Sequence, residues 1–124
     1  MMDSKILIID DDPRNIFALA ATLKAKGFQC LSSVSAREGM AQMKQDKAIK
    51  IVLLDMMMPD MDGYEALALI RADREMAGLP VIAVTAQAMV GDREKCLEAG
   101  ADGYISKPVD VDKLLEMITH HLIT

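Results

Sequence analysis

Lys5-Ile6-Leu7-Ile8-Ile9-Asp10-Asp11-Asp12-Pro13 decides the architecture of this chain. Five residues of almost unbroken aliphatic character stop abruptly at three carboxylates and a proline. A continuous β-branched run suits a strand covered on both faces, as in a parallel sheet. Asp12 before Pro13 reads as a helix N-cap followed by proline at the first helical position. The stretch is therefore a strand, an acidic turn and a helix start. The same grammar recurs downstream. Ile51-Val52-Leu53-Leu54 runs into Asp55, Val81-Ile82-Ala83-Val84 into Thr85, and Gly103-Tyr104-Ile105-Ser106 into Lys107, while Phe28-Gln29-Cys30-Leu31-Ser32 is a weaker, more alternating fifth run.

Amphipathic segments fill the gaps. Helices are predicted over Pro13–Lys26, with Gly27 as terminator, and over Ser35–Gln45, with Glu38 completing a capping box on Ser35. Others are predicted over Asp62 to about Glu75, Ala88–Ala99 ending at Gly100, and Asp110–Leu122, with aspartates 62 and 110 as caps. Strand and helix alternate five times, which implies right-handed crossovers and a parallel α/β sheet with helices on both faces.

Composition narrows the class. The 124 residues match one domain, and no linker or repeat interrupts them. Aromatics are only 3%, so the core must come from aliphatics and the eleven methionines. The formal charge of −5 opposes general nucleic-acid binding, whose affinity comes from neutralising phosphates. No apolar run approaches the roughly 20 residues of a membrane span, and no signal-peptide pattern opens the chain. Cys30 and Cys96 are too few for a disulfide framework or a zinc site. The expectation is a reduced, cytoplasmic domain without membrane or direct nucleic-acid partners.

In open α/β sheets ligands bind beyond the carboxyl ends of the strands. Those ends carry Asp10, Asp11 and Asp12, then Asp55, Thr85 and Lys107. Any one of them alone is most simply a turn or cap residue, and Asp12 and Asp62 read as caps. Their joint occurrence on four strands is harder to attribute to solvent exposure. Carboxylates about 4 Å apart repel by ~1 kcal/mol in water and ~4 kcal/mol at an effective dielectric of 20. Such a cluster calls for a cation. Lys107 supplies one positive charge. Oxygen ligands without His or Cys favour a hard ion such as Mg²⁺ for the rest. Carboxylate, hard ion, lysine and hydroxyl together suit phosphoryl transfer onto a carboxylate.

The ordered set Ile8-Ile9-Asp10-Asp11-Asp12-Pro13, Leu53-Leu54-Asp55-Met56-Met57-Met58-Pro59-Asp60-Met61-Asp62-Gly63, Val84-Thr85-Ala86 and Lys107-Pro108 resembles the receiver domain of two-component response regulators. The resemblance spans essentially the whole chain. It implies a (βα)5 flavodoxin-like fold with strand order 2-1-3-4-5, one receiver domain over residues 1–124 and no output domain. It implies Asp55 as phosphoacceptor, Asp11 as direct metal ligand, Asp10 acting through water, and the Met57 backbone carbonyl as a further ligand. Mg²⁺ is the implied ion, with Mn²⁺ as a substitute. Thr85 and Lys107 match the groups that bind the phosphoryl oxygens, Tyr104 matches the aromatic switch, and Pro108 is a candidate for a cis bond. The implied partners are a sensor histidine kinase or a histidine phosphotransfer protein and a downstream protein target. Switching would act on the surface of helix 4, strand 5 and helix 5, in a monomer or a phosphorylation-linked dimer. The protein would assist its own phosphorylation without being a turnover enzyme.

Met57 and Gln87 occupy positions where the family tunes its rates. A thioether cannot hold an attacking water as an amide can, so slow to moderate self-dephosphorylation is expected. Three readings of function stand at this point. Beside the phosphoacceptor are a phosphorylation-independent interaction module of the same fold and a small-molecule phosphohydrolase with Asp55 as nucleophile. Met1 and the end at Thr124 favour a free-standing or N-terminal receiver over a segment of a hybrid histidine kinase. Other features read plainly. Asp60-Met61-Asp62-Gly63 lacks the terminal Glu of a calcium loop, His120-His121 suits a cationic helix end, and Met56-Met57-Met58 suits gap-filling beside the third helix.

Overall fold

The computed structural model describes residues 4–86 and 89–123. In chain order its elements are β1 (Lys5–Ile9), α1 (Pro13–Ala25), β2 (Gln29–Ser33), α2 (Ala36–Gln45), β3 (Ile49–Asp55), α3 (Gly63–Ala72), β4 (Val81–Thr85), α4 (Asp92–Glu98), β5 (Gly103–Ser106) and α5 (Val111–Ile123). All strand pairs are parallel, and the sheet order is β2-β1-β3-β4-β5. This is the flavodoxin-like arrangement. It puts β1 and β3 side by side at the centre, with Ile9 level with Leu54, so both lead into the same edge of the sheet.

Strand alternation splits the core in two. Leu7, Ile9, Val52, Leu54, Val81 and Ala83 face one side and pack with Met43 of α2, Leu67 and Ile70 of α3 and Cys96 of α4. Ile6, Ile8, Ile51, Leu53, Ile82 and Val84 face the other and pack with Leu23 of α1 and with Leu114 and Ile118 of α5. Each fully buried aliphatic side chain of this kind contributes about 1.5–3 kcal/mol. The unbroken apolar runs follow from having a helix layer on each face. Among the described residues no helix is long and apolar enough to cross a membrane.

The caps of α1, α2, α3 and α5 are aspartate and serine side chains. Asp12 accepts from the Arg14 N–H at 2.9 Å and Asp62 from the Glu65 N–H at 2.9 Å. Asp110 accepts from the Asp112 N–H at 3.0 Å. Ser35 caps α2 through the Glu38 N–H at 3.2 Å, but the reciprocal half of the capping box is replaced. The Ser35 N–H donates to the Ser33 hydroxyl, also at 3.2 Å, so Ser33 takes the part expected of the Glu38 carboxylate.

Three element bounds differ from the sequence reading by two residues or more. The third helix ends at Ala72, because the Asp73 carboxylate accepts the Glu75 N–H at 2.8 Å and pairs with Lys44 at 2.8 Å. That turn replaces helical continuation. The fourth helix begins at Asp92, after Gly91 in a left-handed conformation at φ +86°; the expected start at Ala88 lies outside the described residues. The third strand begins earlier, at Ile49. The methionine triplet is also divided. Met56 and Met58 are buried as gap-fillers, whereas Met57 is 47% exposed.

Candidate phosphoryl-transfer site

Every group of this site is delivered by a strand end. Asp10 follows β1, and its N–H donates to the Ser33 carbonyl at 3.1 Å, which ties the acidic turn to the end of β2. Asp55 closes β3, and the next N–H, of Met56, donates to the Val84 carbonyl at 2.9 Å, so sheet pairing continues past the carboxylate. Thr85 closes β4, and its carbonyl accepts the Lys107 N–H at 2.8 Å. That bond brings Lys107, just past β5, back over the sheet edge. The Lys107–Pro108 peptide bond is cis.

The side chains converge. Asp10, Asp11 and Asp55 each place an oxygen within 4.8 Å of the others. Asp10 and Asp55 are buried, at 3% and 4% exposure, while Asp11 faces solvent. The Lys107 ammonium lies 3.4 Å from Asp10 Oδ2 and 3.7 Å from Asp55 Oδ2. The remaining oxygens are held by backbone. Asp10 Oδ1 accepts from the Asp12 N–H at 2.8 Å and Asp55 Oδ1 from the Met57 N–H at 3.0 Å. Thr85 is buried at 2% exposure on the next strand.

Burial pushes the Asp55 carboxyl above its ordinary value, and the neighbouring Asp10 and Asp11 push the same way, while the Met57 N–H and Lys107 oppose them. Two buried carboxylates thus share one ammonium, with the Asp11 carboxylate beside them. The donor set is oxygen only, with one member open to solvent, which fits a hard divalent ion that keeps some of its water.

Tyr104 is half-buried on β5, and its hydroxyl donates to Asp92 Oδ2 at 3.1 Å. Gln87 lies outside the described residues. The structure thus brings Asp10, Asp11, Asp55, Lys107 and Thr85 to one edge, and sets Tyr104 apart on the α4–β5 side. Asp92 carried no signal in the sequence beyond that of an ordinary acid within the helix expected from Ala88.

Residues 6–119 match the response regulator receiver domain. The chain belongs to that family. It is 36% identical over 115 residues to Protein PilH of Pseudomonas aeruginosa, covering 93% of this chain and 94% of that protein. It is 31% identical over 121 residues to the polar-differentiation response regulator DivK of Brucella ovis, covering 98% of each. In three dimensions it resembles the receiver domain of a sensor histidine kinase from Pseudomonas aeruginosa PAO1, with a TM-score of 0.87, 30% identity and 98% of each chain covered. That domain is described with a magnesium ion coordinated in its active site cleft. The present chain is accordingly a receiver domain of two-component signalling.

Proposed function

We propose that this receiver takes a phosphoryl group onto Asp55 from a phosphohistidine of a sensor histidine kinase or a histidine phosphotransfer protein. The observation that carries this reading is the cluster of Asp10, Asp11 and Asp55, with the Lys107 ammonium against Asp10 and Asp55. An Asp55 carboxylate oxygen forms the new P–O bond as the donor's P–N bond breaks. The imidazole nitrogen keeps the electron pair and takes up a proton. Asp11 and Asp55, with Asp10 through water and the Met57 carbonyl, would hold Mg²⁺. The ion supplies positive charge that draws in the phosphoryl oxygens and offsets the carboxylates. Lys107 pairs with one of the phosphoryl oxygens as negative charge gathers on them, and the Thr85 hydroxyl binds another. Burial of Asp55 keeps competing water away from the acyl phosphate.

Phosphorylation adds roughly −1.5 to −2 charge and three acceptor oxygens. Drawing Thr85 and Lys107 onto them lets Tyr104 turn inward, which shifts the population of the α4–β5–α5 surface towards a form that a downstream protein reads. The chain turns over no substrate in this scheme. Its unpaired cysteines, Cys30 and Cys96, suit the reducing cytoplasm.

Incubation with acetyl phosphate and Mg²⁺ is expected to add the mass of one phosphoryl group, and EDTA or Asp55→Asn to abolish the gain. No gain in the native protein overturns the reading and favours a phosphorylation-independent module. Turnover of a phosphate ester beyond one equivalent favours a hydrolase instead. The same Asp55→Asn protein is expected to melt at a higher temperature in metal-free buffer. The folded carboxyl holds its proton to higher pH than the unfolded one, so stability falls as pH rises above the ordinary carboxylate value of 3.8. That deficit persists at neutral pH, and the amide removes it.

Met57 stands exposed beside Asp55 with no group to orient an attacking water. Slow to moderate loss of the phosphoryl group is expected, and Met57→Asn is expected to speed it several-fold. Release of phosphate from the isolated phosphoprotein in Mg²⁺ measures both, and a native half-life of seconds contradicts the expectation.

A further inference from the structure

Asp92, the first residue of α4, receives hydroxyls from two different elements. Tyr104 of β5 donates to Oδ2 at 3.1 Å, and Tyr64 of α3 donates to Oδ1 at 3.4 Å. Both distances exceed the usual O–H···O spacing of about 2.7–2.8 Å. Tyr64 is held in place by its other neighbours. Lys95 stands over its ring at 4.7 Å from the centroid, and the Cys96 sulfur is 3.6 Å from its hydroxyl. Tyr64 also follows Gly63, whose N–H donates at 3.2 Å to the carbonyl of Met56, the residue after Asp55. A short path of direct contacts therefore runs from Asp55 through Met56, Gly63 and Tyr64 to Asp92, and on to Tyr104.

We propose that Asp92 is a positioning residue of the switch, a carboxylate shared by Tyr64 and Tyr104 that couples α3 to the α4–β5 surface. The proposal deepens the phosphoacceptor reading and rests on it. A half-buried carboxylate that loses its donors is costly. When Tyr104 turns away from Oδ2, the long Tyr64 bond can close on Oδ1, so the first turn of α4 stays held while the aromatic switch moves. Tyr64 thus follows a movement of Tyr104 through the carboxylate they share.

The chain has two tyrosines and no tryptophan, so ring-labelled tyrosine gives two sets of NMR signals. In the unphosphorylated protein, Tyr104→Phe is expected to shift the Tyr64 ring signals. Asp92→Ala is expected to shift both tyrosines and to speed amide exchange in residues 95–98 by at least about tenfold, since it removes two hydrogen bonds to a charged group. Asp92→Asn, which keeps an acceptor, is expected to fall between Asp92→Ala and the native protein. With acetyl phosphate and Mg²⁺, both tyrosines of the native protein are expected to move, but only Tyr104 in Asp92→Ala. A Tyr64 signal unmoved by Tyr104→Phe, or unmoved in fully phosphorylated native protein, overturns the coupling. Failure to phosphorylate, with the Tyr104→Phe response intact, overturns the phosphoacceptor reading while the coupling stands.

Discussion

Replacing Arg71 by alanine is expected to remove about 3 kcal/mol of stability, a large share of the roughly 5–15 kcal/mol typical of a domain. Arg71, in the last turn of α3, spends every guanidinium hydrogen at the end of the sheet remote from the aspartates. Nε donates to the Gly100 carbonyl at 2.9 Å. Nη1 donates to the carbonyls of Ala77 and Leu79 at 3.0 and 2.7 Å. Nη2 donates to the Gly100 carbonyl and to Asp102 Oδ2, both at 2.7 Å. Asp102 in turn accepts the N–H of Val81, where β4 begins, at 2.9 Å. One side chain thus joins the α3–β4 and α4–β5 connections. Its loss leaves three carbonyls short of a donor in a half-buried site. Arg71→Lys is expected to recover little, because an ammonium cannot span so wide a fan of acceptors. A fall of roughly 10 °C in melting temperature is the corresponding observable for a domain of this size. An Arg71→Ala protein that melts with the native one contradicts the argument.

Gly63→Ala is expected to cost about 2 kcal/mol and to slow phosphorylation by acetyl phosphate. The reason is crowding, and no unusual dihedral is involved. A Cβ at Gly63 meets the thioether of Met56, which can move, and the Met56 Cα at 2.7 Å, which cannot move without its neighbours. Those neighbours are Asp55 and Met57. The substitution therefore presses on Asp55, the proposed phosphoacceptor, from behind. Gly78→Ala is the matched control, since a Cβ there meets nothing within 4 Å. Equal urea midpoints for the two variants sink the explanation.

What the chain's own pattern revealed, and what it hid, follows from the range of the forces involved. Apolar runs ending in Asp10, Asp55, Thr85 and Lys107 are local signals, and each of these residues sits at a strand end on one sheet edge. The order 2-1-3-4-5 is a long-range property; it came from the resemblance, since periodicity alone does not say which parallel strands are neighbours. The early end of α3 was hidden because its cause is the Asp73 side chain, which caps Glu75 and reaches Lys44 on another helix. Nothing in sequence marks an arginine whose acceptors are mostly backbone carbonyls, so the part played by Arg71 was invisible. Asp92 was hidden for a related reason. Its partners, Tyr64 and Tyr104, lie 28 and 12 residues away.

β5 borders the sheet and pairs with β4 alone. It is four residues long, carries Tyr104 inside it, and delivers Lys107 immediately beyond its end. In the proposed scheme the residue that meets the phosphoryl group and the one that reports it share a single edge ribbon, three positions apart. A phosphoryl group on Asp55 would then be announced along the border of the sheet, while its central strands, β1 and β3, keep their places.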